Sequence, residues 1–145
     1  MILCDVNVLV YAHRQDSARH AEYRGWLEEM VNGDGAFAAS PLVLSGFLRI
    51  VTNPRVFRAP TPMETALCFT QDILERENCV IVAPGPRQWG IFTSLCRELN
   101  LKGNLVPDAY FAALAIEWGC TWATTDGDYA RFASLSRIHP LQEHA

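Results

Sequence analysis

The chain has 145 residues, half of them hydrophobic, which suits one domain with one core and no covalent staples. Sixteen acids against twelve basic residues give a net charge of −4, which excludes a protein that coats nucleic acid by bulk charge. No apolar run reaches the roughly 20 residues of a membrane span, and no basic leader precedes the first apolar stretch, so neither a membrane anchor nor a signal peptide is expected.

Met1–Val10, MILCDVNVLV, reads as a strand buried on both faces, because aliphatic and β-branched residues fill it. Asp5 interrupts that run. A carboxylate there is costly unless it is paired, hydrogen-bonded or bound to metal. Tyr11–Asp16 follows as a polar loop. Tyr23, Trp26, Leu27, Met30 and Val31 recur on one face of a helix from about Ser17 to Val31, and Asn32-Gly33-Asp34-Gly35 ends it. Ala36–Ala39 is a second strand. Ser40-Pro41 supplies the N-cap and first position of a helix that reaches Val51 and stops at Asn53-Pro54. Thr61-Pro62-Met63-Glu64 has capping-box spacing and opens a helix to about Glu77.

Val80–Ala83 reads as a third strand, Trp89 to Leu99 as an amphipathic helix, and Leu101–Leu105 as a turn. Pro107 opens an apolar helix, Asp108–Trp118, which Gly119 ends. Cys120–Ala123 is a fourth strand, Tyr129–Leu135 a last helical turn, and Ile138 part of a short edge strand. The domain is expected to span residues 1–140, with 141–145 a frayed tail. Strands alternate with helices over short connections. The pattern is that of an α/β domain with a parallel sheet of four or five strands flanked by helices. The five cysteines (Cys4, Cys68, Cys79, Cys96, Cys120) are odd in number, with no C-x-x-C pair. That argues against zinc or a disulfide framework and for a reducing cytoplasm.

Three acids stand where such a sheet gathers its ligands. Asp5 lies in the first strand, Asp126 follows the fourth with Asp128 close by, and Asp108 opens a helix whose next eight residues carry no charge. The carboxyl ends of parallel strands share one edge, so these acids can converge there. Each also has a structural reading: Asp5 as an acid capping the next turn, Asp108 as a first-turn acid, Asp126 as a cap, Asp128 as a solvated residue. Converging carboxylates without cysteine or histidine suit a hard ion such as Mg²⁺ or Mn²⁺, which can activate water for attack on a phosphodiester. His13 and His20 are expected on solvated surface. No acid lies between Phe37 and Met63, a stretch that holds Arg49, Arg55 and Arg58. Eleven of the twelve basic residues are arginine, the side chain suited to bidentate phosphate or carboxylate contacts.

MILCDVNVLVYA, SPLVLSGFLRIVTNPRVF, NLVPDAYFAALAIEWGC and TWATTDGDYARF together resemble, in order and over nearly the whole chain, a PIN-domain ribonuclease of the kind found as VapC toxins in bacterial toxin–antitoxin pairs. The resemblance implies a PIN-like fold and a Mg²⁺- or Mn²⁺-dependent endoribonuclease cleaving structured RNA such as tRNA or rRNA. It implies a homodimer restrained by a VapB-type antitoxin. Carried over residue by residue, Asp5, Asp108 and Asp126 would be catalytic and hold the metal. Asn7, Arg49 and Asp128 would lie toward the substrate. One departure stands out: the acid this family commonly carries on the second-helix segment is replaced by Gly46, with Asp128 or a single-ion site as possible compensation. A module that binds RNA or a partner without cutting is the second reading. A phosphatase of the haloacid-dehalogenase type is a third, weakened because its second Asp would stand at Asn7.

Overall fold

The computed structural model describes residues 1–142. The central strand, β1 (Ile2–Cys4), ends at Asp5, whose carboxylate accepts a 2.7 Å hydrogen bond from the Val6 amide and caps α1 (Val6–His13). The strand expected over Met1–Val10 is thus three residues of strand followed by helix. Val6, Val8, Leu9, Val10 and Ala12 are all buried. A run that is apolar on every side does not distinguish strand from buried helix by periodicity, and the cap at Asp5 decides it. Tyr11, Ala12 and His13 belong to the same helix, so the expected polar loop begins only at Arg14.

Next come α2 (His20–Asn32), β2 (Phe37–Ala39) and α3 (Pro41–Val51). Ser40 caps α3 as expected, accepting from the Leu42 amide at 3.2 Å. The capping box before α4 (Met63–Leu74) does not form, because Pro62 occupies the cap position. The Thr61 amide instead donates to the Val51 carbonyl at 2.8 Å, and its hydroxyl lies 3.2 Å from His13 Nε2. β3 (Cys79–Ile81) and α5 (Gln88–Glu98) follow. α6 (Leu105–Trp118) starts two residues before Pro107; a proline in the first turn removes only an amide without an intrahelical partner. β4 (Thr121–Ala123), a 3₁₀ turn (Gly127–Arg131) in place of the expected longer helical turn, and β5 (Arg137–Ile138) complete the chain. Of the tail expected to fray, residues 143–145 lie outside the described residues.

The five strands form one parallel sheet in the order β3-β2-β1-β4-β5. The chain winds from β1 to one edge, then returns to its other side, so the sheet switches direction between β1 and β4. A crevice at the carboxyl ends of those two strands is where such a sheet takes a ligand. Ala109, Ala112, Ala113 and Ala115 are fully buried, and their small side chains let α6 lie close against its neighbours. A crossover helix runs antiparallel to its strands, which puts the first turn of α6 at the same edge. Among the described residues, no helix is long and apolar enough to cross a membrane.

Candidate active site

Register builds the floor of the crevice. Cys4 pairs with Ala123, and the Asp5 amide donates to the Ala123 carbonyl at 2.8 Å. Asp5 therefore lies beside Thr124. The Thr124 hydroxyl donates to Asp5 Oδ2 at 2.7 Å and accepts from the Asp126 amide at 3.0 Å. Both residues are buried, and each oxygen of Asp5 holds one hydrogen bond. Burial pushes the Asp5 carboxyl up to about 6, against the pull of the Thr124 and Val6 hydrogen bonds; the charges of Asp108 and Asp126 add to the rise.

Above this floor, Asp108, Asp126 and Asp128 form a rim, each offering a carboxylate oxygen within 4.8 Å of the others. Asp108 comes from the first turn of α6. Asp126 caps the 3₁₀ turn, accepting from the Asp128 amide at 2.8 Å. The structural reading of Asp126 is therefore correct, and it coexists with a place in the cluster. Burial and then the Asp126 charge raise the Asp108 carboxyl above its ordinary range. Tyr129, nearly inaccessible between Trp122 and Phe132, directs its hydroxyl to Asp108 Oδ1 in a long 3.4 Å contact. Its phenol is held neutral, by burial first and by the surrounding carboxylates next.

The donor set on the rim is all oxygen and all anionic, which fits a hard divalent cation. Asp5 lies outside that three-residue group, as a buried neighbour coupled to it by charge. Asn7 sits half-buried in the first turn of α1, and Arg49 is exposed on the last turn of α3. A Cβ at Gly46 would stand 3.0 Å from Val6 Cγ2, so a side chain there needs the valine to give by a few tenths of an ångström. His13 and His20 are not solvated surface. His13 is half-buried against Phe47 and Phe69, and burial lowers its pKa; His20 Nδ1 donates to the Tyr11 carbonyl at 2.9 Å.

Two site residues escaped the sequence reading. Thr124 carried a signal, since a hydroxyl two residues before an acid is a turn pattern and strand alignment puts it beside Asp5. Tyr129 carried none, because an aromatic in a helical turn reads as core.

A PIN domain model matches residues 2–135. Ribonuclease VapC43 of Mycobacterium tuberculosis is 43% identical over 141 residues, covering 97% of this chain and 96% of that protein. Ribonuclease VapC25 of the same organism is 39% identical over 140 residues, covering 97% and 99%. The structure of VapBC2 from Rickettsia felis bound to a promoter DNA fragment superposes with a TM-score of 0.70 at 22% identity, over 95% of this chain and 98% of that one. The family match removes the haloacid-dehalogenase reading. With a crevice between β1 and β4, a carboxylate rim above it and relatives alike from end to end, the chain belongs to the PIN domain family.

Proposed function

We propose that the protein is the toxin of a toxin–antitoxin pair, an endoribonuclease that uses Mg²⁺ or Mn²⁺ to cleave structured RNA such as tRNA or rRNA. The observation that carries this is the rim. Three carboxylates from two separate elements meet at the switch-point edge, with no cysteine or histidine among them. The relatives that match end to end are themselves called ribonucleases.

Asp108, Asp126 and Asp128 would hold the cation. When bound, the ion would supply compensation for phosphate charge and an acidified water. Asp5 supports the rim from below: Thr124 orients its carboxylate, and the same hydroxyl fixes the Asp126 backbone. Tyr129 keeps a neutral hydroxyl donor on Asp108. Asn7 and Arg49 flank the crevice on the substrate side. Asp128 takes the place of the second-helix acid that is absent at Gly46. The protein acts in the cytoplasm, where its five unpaired cysteines stay reduced, as a homodimer restrained by a VapB-type antitoxin; the VapBC2 assembly supports that partner.

The test is cleavage of purified total RNA by partner-free protein, with and without Mg²⁺ or Mn²⁺, beside Asp108→Asn. Discrete metal-dependent cuts are expected from the wild type, with a loss of at least about 100-fold in the variant, the scale of removing one preorganised electrostatic group. The absence of an acid at Gly46 favours a second reading, a binding module without catalysis. Intact RNA with both proteins, each still binding it, would select that reading.

A further inference from the structure

Most guanidinium groups in the described structure are engaged. Arg14, Arg19, Arg24 and Arg131 each pair with a carboxylate. Arg49, Arg55 and Arg58, like Arg97 and Arg137, are exposed with no ion pair or side-chain hydrogen bond among the described residues; what sets these three apart is that they lie together in a stretch without one acid. On a chain of net charge −4, Phe37–Met63 alone carries +3.

The loop that bears Arg55 and Arg58 is built, not loose. Its two ends are joined by the Thr61 amide on the Val51 carbonyl at 2.8 Å. Asn53 organises its first turn, with Oδ1 accepting from the Arg55 amide at 2.9 Å and its carbonyl accepting from Val56 and Phe57. Arg14 clamps it from the other side, donating to the Ala59 carbonyl at 2.8 Å with its guanidinium 4.0 Å from the centre of the Phe57 ring. Arg14 is thus committed to the framework, while Arg55 and Arg58 are left facing water. The track is tied to the crevice through two helices: Gly46 of α3 packs on Val6, the residue after Asp5, Arg49 follows one helical turn later, and the loop is held at the other end of α1 by Arg14.

We propose that the end of α3 and the loop of residues 52–60 form a preordered track for an RNA backbone. On this reading Arg49, Arg55 and Arg58 hold phosphates that flank the one entering the acidic crevice. The inference rests on the ribonuclease reading and adds the surface that holds the strand. An acidic crevice repels phosphates, so a strand reaching it needs adjacent cations, and ordered arginines supply them with bidentate geometry at little ordering cost.

The experiment measures binding of a fluorescein-labelled tRNA pool to partner-free Asp108→Asn protein in EDTA, as a function of KCl. Removing one arginine from a phosphate lowers the slope of log affinity against log salt by about 0.7–0.9. Adding Arg55→Gln with Arg58→Gln should lower the slope by about 1.5 and weaken binding roughly tenfold at moderate salt, and the corresponding lysine pair should restore the slope. An unchanged slope would overturn the track. So would an equal fall in an Arg97→Gln, Lys102→Gln control, which would assign the effect to overall charge. Intact RNA binding with loss of a co-purified antitoxin would make the loop a protein-binding surface instead. Metal-dependent cleavage by the wild type keeps the nuclease reading alive whichever way the track falls; a wild type that neither binds nor cuts RNA sinks both.

Discussion

The floor and the rim of the crevice are both built from aspartate, and they behave oppositely. Asp5 is buried, each of its oxygens holds a hydrogen bond, and its carboxyl is pushed up to about 6. Asp126 and Asp128 sit on the water side, with oxygens that approach Asp108 and each other, and among the described residues the one cation paired with the rim is Arg131, 3.5 Å from Asp128 Oδ1. Burial with directed hydrogen bonds makes an acid part of the framework. Exposure among like-charge neighbours leaves an acid's oxygens open to a cation. The difference teaches that identical side chains at one sheet edge divide their work by depth.

Three variants test that division. The first concerns the rim. Asp128→Asn should weaken Mn²⁺ affinity at least about tenfold, the lower range for damage around a metal site, while metal-free stability moves by less than about 0.5 kcal/mol. Calorimetric titration and thermal melts in EDTA read the two quantities. A variant that binds Mn²⁺ as the wild type does would remove Asp128 from the rim.

Next comes the floor. Thr124→Val keeps shape but strips the donor from Asp5 and the acceptor from the Asp126 amide. Urea unfolding should show a loss of about 2 kcal/mol, with Thr124→Ser recovering most of it. Stability equal to wild type in Thr124→Val would mean that the bridge holds nothing together.

The third is a pH dependence. Burial raises the Asp5 carboxyl, so between about pH 4 and 6 the folded metal-free chain keeps a proton that the unfolded chain gives up. Stability contributed by that proton is complete below the unfolded pKa and is lost as pH rises through the folded one. Asp5→Asn cannot titrate and retains a capping side chain. Its stability relative to wild type should therefore climb across this window, by on the order of 3 kcal/mol, and level off above it. A constant difference between the two proteins from about pH 3 to 8 would show that Asp5 does not titrate in the folded state.

Much of the fold was open to a reader of the chain, and particular residues show where that reading stops. Ser40-Pro41 announced α3 through local chemistry, and Gly119 in its left-handed conformation ended α6 where a glycine signal stood. Val6–Val10 misled, because an aliphatic run that is buried all round fits strand and helix equally. Thr61 misled for a different reason: its capping pattern was intact, but Val51 and His13 from distant elements claimed its hydrogen-bonding groups.

The sequence by itself determined the alternation of strands and helices, the parallel sheet and the presence of acids at its ligand edge. All three follow from short-range periodicity, turn chemistry and the fact that parallel strands end together. Only the tertiary structure decided how those acids are shared out. The bond between Thr124 and Asp5 spans 119 positions of chain and exists only because Cys4 registers with Ala123. The depth of Asp5, the meeting of Asp108 with Asp126 and Asp128, and the packing of Gly46 on Val6 depend likewise on strand register and helix approach. Those are set by packing between distant segments, and no local pattern encodes them.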